Sequence, residues 1–321
     1  MSGPAPRIAV RVTEIAEVTP LVKRFRLERP DGLALPRFSG GAHIVIDMQH
    51  DGHSHRNAYS LMSPPQETAF YMVSVRRDGD GRGGSRYLHD HLTAGMDLEI
   101  SHPVNLFPLA KRATKHLFIA GGIGITPFLA MMAELGTASA PFALHYAARS
   151  RALAAFGPDL AQRYGSRVHL YHSEDGARIA LTPLLSHQPL GTHLYVCGPA
   201  GMIDTVLASA RALGWPDAQL HREHFLAPPS GQAYSVELAC SGKTVAVGPL
   251  QSMLEAIEAA GVDAPYLCRG GACGQCETRV LHLEGALLHA DHFLSEAEKA
   301  SGTKIMPCVS RFAGQRLVLD L

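Results

Sequence analysis

The sequence predicts a multidomain chain of three units in series. An antiparallel β-barrel or sandwich comes first, then an α/β domain on a parallel sheet, then a small β domain closed around a cysteine loop. Three observations predict this. Short runs rich in Val, Ile and Phe, broken by Gly, Pro and Asp, fill the first third. Strand patterns then alternate with helical ones to about residue 225. Beyond that point, "YLCRGGACGQC" (Tyr266–Cys276) gathers three of the six cysteines.

The totals narrow the function classes. A chain of 321 residues is long enough for two or three cores. Its 29 Lys and Arg balance 29 Asp and Glu, which argues against nucleic acid as the main partner. No run approaches the roughly 20 apolar residues of a membrane span, so no membrane partner is expected. "MSGPAPRIAV" lacks a basic region followed by an apolar core, so no export signal is read. Six cysteines are too few for a disulfide scaffold in a chain of this size. A soluble cytoplasmic protein with reduced thiols is expected.

Residues 1–112 read as this first β unit. "RIAVRVTEIAEV", "VKRFRLERP", "AHIVIDM" and "FYMVSVRRD" are its strands, and "SRYLHDHL" is a helix among them. Residues 113–226 read as the α/β domain. Its strands are "HLFIA", "FALHYAA", "RVHLYHS", "THLYVCG" and "LHREHF"; its helices are "TPFLAMMAEL" and "AGMIDTVLASARALG". Such alternation implies right-handed βαβ units with ligands at the carboxyl ends of the strands. Residues 227–232, within "LAPPSGQ", form a linker on Pro, Gly and Ser content. Residues 233–321 hold the hairpin "YSVELACSGKTVAV", the helix "SMLEAIEAAG", the cysteine loop and the short strands "ETRVLHLEG", "KIMPCVS" and "RLVLDL".

Four residues separate Cys268 from Cys273, two separate Cys273 from Cys276, and Cys308 follows at a distance. This is the plant-type [2Fe–2S] spacing, in which four thiolates hold two irons. A zinc ribbon would show two C-x-x-C pairs, whereas Cys308 stands alone. Gly270, Gly271 and Gly274 let the loop turn sharply and bring N–H groups to the sulfurs. Cys240, in a predicted strand, reads as a small core residue.

Two glycine-rich turns precede the cysteines. "AGGIGITPF" (Ala120–Phe128) joins a strand to a helix, with Gly121, Gly122 and Gly124 giving close backbone access to an anion at the helix N-terminus. It is not G-x-G-x-x-G, and alone it reads equally well as a tight structural turn. "YVCGPAGM" repeats the device after a later strand, which favours a dinucleotide site. In the first unit, Arg82, Gly83, Gly84 and Ser85 form a further anion cradle downstream of "RNAYSLMSPP".

In order, "YSL", "GRGGS", "FPL", "GGIGITP", "CGP", the cysteine set, "MPCVSR" and "LVLDL" resemble the phthalate dioxygenase reductase family, which includes vanillate O-demethylase reductases. The resemblance spans essentially the whole chain. It implies an antiparallel β-barrel flavin domain, an α/β parallel-sheet nucleotide domain and a β-grasp plant-type ferredoxin domain. The implied cofactors are FMN, NADH and a [2Fe–2S] cluster held by Cys268, Cys273, Cys276 and Cys308.

By position, the resemblance puts Tyr59 and Ser60 along the flavin ring, with Ser60 near N5, and Gly84 and Ser85 at its phosphate. Gly122, Gly124 and Thr126 would face the nicotinamide nucleotide, and Gly198 lies in the second glycine turn. Cys197 would approach the nicotinamide C4, and Phe225 would cover the isoalloxazine. The implied activity is hydride transfer from NADH to FMN, then single electrons through the cluster to a terminal oxygenase of the Rieske type. The chain would act as a monomer. The alternatives are a reductase for a haem monooxygenase and a general flavin or ferredoxin reductase.

The chain departs from the family pattern at one place. The family has Arg two residues before the Tyr; here that position is Asn57, and the Arg is Arg56. One step along a strand reverses the face. Either a bulge returns Arg56 to the phosphate, or Asn57 bonds it and Arg76 or Arg82 supplies the charge. This variant is similar to reductases serving monooxygenases of quaternary ammonium or methylamine compounds. After "LHYAA" come Arg149, Ser150 and Arg151 with no acid until Asp159, which leaves room for the extra phosphate of NADPH.

Eighteen histidines suggest no metal spacing. His89 and His91 read as solvated or hydrogen-bonded, and His50, His53 and His55 as a hairpin surface. From residue 233 onward ten acidic side chains face seven basic ones, a mild negative charge suited to a basic docking patch.

Overall fold

A computed structural model describes residues 7–50, 53–79, 81–138, 140–225 and 228–321. The first part of the expected linker (Leu226, Ala227), the stretch before Arg7, and the His50 and His53 side chains lie outside the described residues.

Residues Ile8 to Asn105 form one antiparallel sheet. Its strands are β1 (Ile8–Thr19), β2 (Val22–Glu28), β3 (Ala42–His50), β4 (His53–Ser60), β5 (Tyr71–Arg76), β6 (Asp97–Ile100) and β7 (Val104–Asn105). Their order is β4-β3-β6-β1-β2-β5, with β7 on β3. The two edges approach each other where Met62 N donates to Met72 O at 2.9 Å, so the sheet curls into a barrel. Alternation drives the curl: Ile8, Val10 and Val12 point inward beside Phe25, Ile44 and Val73, while the residues between them face out. Helix α1 (Gly84–Asp90) follows the Gly-rich turn. His55 is buried on β4 rather than at a surface tip. His89 is buried with Nε2 2.8 Å from Val75 O, a hydrogen-bonded histidine as expected.

The second unit has a parallel sheet of β8 (Lys115–Gly121), β9 (Phe142–Ala148), β10 (Val168–His172), β11 (Thr192–Cys197) and β12 (Leu220–Glu223). The order β10-β9-β8-β11-β12 reverses direction between β8 and β11, so the two glycine turns stand side by side at the switch point. Helices α2 (Thr126–Ala138), α3 (Gly157–Tyr164), α4 (Leu181–Ser186) and α5 (Ala200–Ala212) connect the strands. One apolar cluster around Phe118, Phe128 and Tyr195 covers one face, and another around Ile119, Val196 and Ile203 covers the other. Burial on both faces explains the unbroken apolar run of β8.

The third unit comprises β13 (Tyr234–Leu238), β14 (Lys243–Val247), α6 (Met253–Ala259), β15 (Thr278–Leu288), α7 (Glu296–Ser301), β16 (Lys304–Ile305) and β17 (Arg311–Leu319). Its first and last long strands, β13 and β17, pair in parallel at the centre of β14-β13-β17-β15-β16. A hairpin, a helix and this closing strand make a β-grasp. Helix α6 begins at a Ser252–Glu255 capping box and buries Met253, Leu254 and Ile257. Two expectations need correction. Strand β13 stops at Leu238, so Cys240 is in an exposed turn with Sγ 3.3 Å from Asp320 Oδ1, not in the core. Strand β16 is only two residues long, which leaves Cys308 in the turn beyond it. No helix among the described residues is long and apolar enough to cross a membrane.

Candidate active site and iron–sulfur centre

A cavity of about 670 Å³ opens where the three units meet. The barrel contributes Tyr59, Ser60 and the turn from Gly81 to Ser85; the middle unit contributes Glu223 and Phe225; the third contributes Cys268 and Arg269. Its wall holds buried polar atoms without partners: His43 Nε2, Ser60 Oγ, Ser74 Oγ and Glu223 Oε2. Buried polar atoms are normally paired, so this concentration marks a site for a polar ligand. Burial pushes the Glu223 carboxyl up to about 8, an effect the nearby Ser60 hydroxyl tempers, and pushes His43 down to about 4. Both groups are therefore neutral at pH 7.

At the far end, Gly83 (φ 113°) turns the chain into α1. Strands β3 and β4 pair without a register shift from His43↔Ser60 to His50↔His53. No bulge returns Arg56 to this end. Arg56 instead donates to Asp47 Oδ2 at 3.0 Å and Glu258 Oε2 at 2.7 Å. Asn57 takes the inner position: a Cβ on Gly84 would lie 2.4 Å from its Nδ2, and that Nδ2 donates to Tyr59 Oη at 3.3 Å. Burial raises the Tyr59 phenol to about 12. Arg82 is also engaged elsewhere, with Nη1 2.6 Å from Glu255 Oε2. Ser85 Oγ accepts from Asp78 N at 3.1 Å. Arg76 also lines the cavity and has solvent around it.

On the nucleotide side, Gly122 adopts φ 54° over open space. Gly124 does not face a ligand; a Cβ there would lie 2.3 Å from Cys197 O, so it lets the two turns pack together. A Cβ on Gly198 would likewise lie 3.0 Å from the Gly121 backbone. Thr126 is buried and donates to Ile123 O at 3.0 Å while still lining the cavity. Cys197 is buried, and desolvation, with the Glu223 carboxyl beside it, raises its thiol well above the usual range. Arg149 is exposed at the end of β9, and its carbonyl accepts from Glu174 N at 3.0 Å. Glu174 Oε1 accepts from Arg151 N, and Asp175 Oδ2 from Arg151 Nη2, both at 2.7 Å. The acids absent after the second strand thus come from the end of the third. Glu223, His43, Glu174 and Asp175 were not singled out in the sequence. The only signal was an acid at the end of each of two strands, "HREHF" and "YHSED".

The four cysteines stand as two pairs. Cys276 and Cys308 bring their sulfurs to 3.2 Å. Cys268 and Cys273 are near enough to couple, each to the other, so that the first thiol is held low and the second pushed up. Two-and-two pairing suits two irons, each held by two thiolates. Gly270 N lies 3.4 Å from Cys268 Sγ, and Gln275 N lies 3.5 Å from Cys273 Sγ. The loop's turns come from Gly271 (φ 68°) and Gly274 (φ 75°), with Arg269, not Gly270, as the third left-handed residue.

Sequence comparison finds a family match in each part of the chain. Residues 9–108 match the family described as the oxidoreductase FAD-binding domain. Residues 101–220 match the dimethylamine monooxygenase subunit DmmA-like N-terminal domain, and residues 236–313 the 2Fe-2S iron-sulfur cluster binding domain. The carnitine monooxygenase reductase subunit of Acinetobacter baumannii is 47% identical over 97% of this chain and 96% of its own. The haem-dependent oxidative N-demethylase beta subunit of Ectopseudomonas mendocina is 46% identical over 97% and 98%. The solved structure of phthalate dioxygenase reductase superposes with a TM-score of 0.89 at 33% identity, covering 98% of both chains. The chain belongs to the phthalate dioxygenase reductase family. Like other members, it is an NAD(P)H-dependent oxidoreductase with a flavin domain, a nucleotide domain and a [2Fe–2S] ferredoxin domain. The residues present fit these groups: unpartnered polar atoms line the flavin cavity, and paired thiols stand in a turn rich in N–H groups.

Proposed function

We propose that this family member is the reductase component of a terminal oxygenase system, drawing on NADH and holding its flavin as FMN. The supporting observation is one cavity lined by Ser60, Glu223 and Cys268, which suits a flavin and an iron cluster meeting in one compartment. When bound, the flavin accepts two electrons and releases them singly, and the cluster carries one at a time. The chain's own residues position and tune. Ser60 hydrogen-bonds the ring, and neutral Glu223 already holds a proton beside it that it can donate. Cys197 packs the nicotinamide side, and Phe225, exposed at the cavity rim, covers the ring until nucleotide enters.

Asn57, Gly84 and Ser85 hold the phosphate, with Arg76 as the cation. Arg82 and Glu255 close the space behind this end, which favours FMN over a larger dinucleotide flavin. Arg151 is already matched by Asp175, with Glu174 beside it, so a further phosphate on the ribose would meet two carboxylates. That favours NADH. Cys273 is the most exposed of the four ligand thiols, and it marks the exit toward the oxygenase. All three units lie in one chain, which suits a monomer, and free thiols kept for iron suit the reducing cytoplasm.

The relatives make a Rieske-type oxygenase of quaternary ammonium compounds the first partner to try. A second reading, a haem-dependent demethylase of methylamines, is favoured by the equally similar N-demethylase subunit and by the DmmA-like match. Reconstitution with each oxygenase class, following NADH consumed per substrate demethylated, separates them. Coupled turnover with neither class, alongside intact cytochrome c reduction, favours a general reductase instead.

A further inference from the structure

Two arginines lining the cavity, Arg56 and Arg82, are also bonded into the third unit. Both meet α6, where Glu255 and Glu258 lie three residues apart on one helix face. Arg82 and Glu255 form a buried pair, and Arg82 also donates to Leu250 O at 3.0 Å. Glu258 does more. Its Oε2 accepts from Arg56 Nη1 at 2.7 Å and from Arg269 Nη1 at 2.9 Å, and its Oε1 accepts from Arg269 Nη2. Arg269 directly follows Cys268, is buried, and has its guanidinium 3.8 Å from the Tyr266 ring centre. Its left-handed backbone (φ 51°) is unusual outside glycine, so packing and this ion pair hold the loop in place.

We propose that Glu258 is a positioning residue that docks the iron-binding loop onto the flavin domain. One carboxylate, shared between Arg56 of β4 and Arg269 of the cysteine loop, fixes the separation across which single electrons leave the flavin. The displaced arginine thus has a second use: one place along β4 from the family position, it still lines the cavity but spends its guanidinium on Asp47 and Glu258. Guanidinium groups suit the task because they stay charged and present several donors to a shared carboxylate. The pairs are shielded, with 19% of the Arg56 side chain, 16% of Glu258 and 5% of Arg269 exposed, so salt screens them less than a surface bridge.

This inference rests on the reductase reading, and the test separates the two. The holoprotein, Glu258→Gln, Arg56→Gln and the double variant are mixed anaerobically with NADH while flavin and iron bands are followed separately. Iron content and small-angle scattering are measured on each. The expected result is unchanged flavin reduction, with reduction of the iron slowed at least tenfold in both single variants and no further in the double. The radius of gyration should rise on losing the contact, and Arg56→Gln, which spares the Arg269 pair, should keep its iron. Equal rates of iron reduction and equal compactness in all four proteins overturn the docking role alone. A wild-type sample whose iron is never reduced overturns the reductase reading and this inference together.

Discussion

Cys197 and Glu223 are register partners at the carboxyl ends of the adjacent parallel strands β11 and β12. The thiol is buried, the Glu223 Oε2 is sealed without a partner, and burial holds both groups protonated at neutral pH. A carboxylic acid kept neutral beside a thiol can donate a hydrogen bond, which a carboxylate cannot.

A stability signature follows from Glu223. Its folded value of about 8 exceeds the ordinary 4.5, so the native state keeps the proton longer than the unfolded chain. The stabilisation is complete below about pH 4.5 and is lost as pH rises to about 8. Glu223→Gln removes this slope. Between pH 6 and 8.5 its thermal midpoint should gain on wild type by roughly 5 °C, measured by calorimetry.

Nucleotide choice should change when Arg151 is released. Glu174→Gln with Asp175→Asn removes both carboxylates near Arg151 while keeping side-chain volume. The kcat/KM for NADPH should rise roughly tenfold relative to NADH, the scale of one charge-assisted hydrogen bond. An unchanged ratio in steady-state assays means that the ribose does not lie near these acids.

Phosphate recognition without the family arginine should depend on Arg76. Arg76→Ala should weaken FMN binding about tenfold and leave riboflavin affinity unaltered, because only FMN carries the phosphate. Fluorescence titration of the flavin-free protein checks both ligands.

The cysteine loop predicts a contrast between thiols. Cys308→Ser should lose the iron, whereas Cys240→Ser, in its exposed turn, should retain it; elemental analysis decides. Gly274→Ala should cost about 1–3 kcal/mol in chemical denaturation. Its φ of 75° disfavours a side chain, and the new Cβ would sit 2.3 Å from Phe293 Cζ. Adding Phe293→Ala should recover the steric part and leave the backbone part.

What was legible in the sequence was local. The spacing of Cys268, Cys273 and Cys276 is a property of one loop, and the glycine turns announce themselves where a strand meets a helix. Short apolar runs broken by Gly, Pro and Asp were enough to read an antiparallel β domain, while closure into a barrel came from the family resemblance. What stayed hidden depends on distant pieces coming together. Glu174 and Asp175 reach Arg151 only because β10 lies beside β9. Arg82 meets Glu255 across 173 positions, and Arg56 meets Glu258 across 202. Gly124 looks like a ligand glycine until the Cys197 carbonyl is found against it. Glu223 is one acid among 29 until its burial is known.

The most direct test of the central claim is an anaerobic NADH titration of the purified protein, with visible absorption and electron paramagnetic resonance recorded at each addition. Bleaching of both flavin and iron–sulfur bands, with the signal of a reduced two-iron cluster growing in, is the predicted result. A colourless protein, or one whose iron stays oxidised at excess NADH, contradicts it.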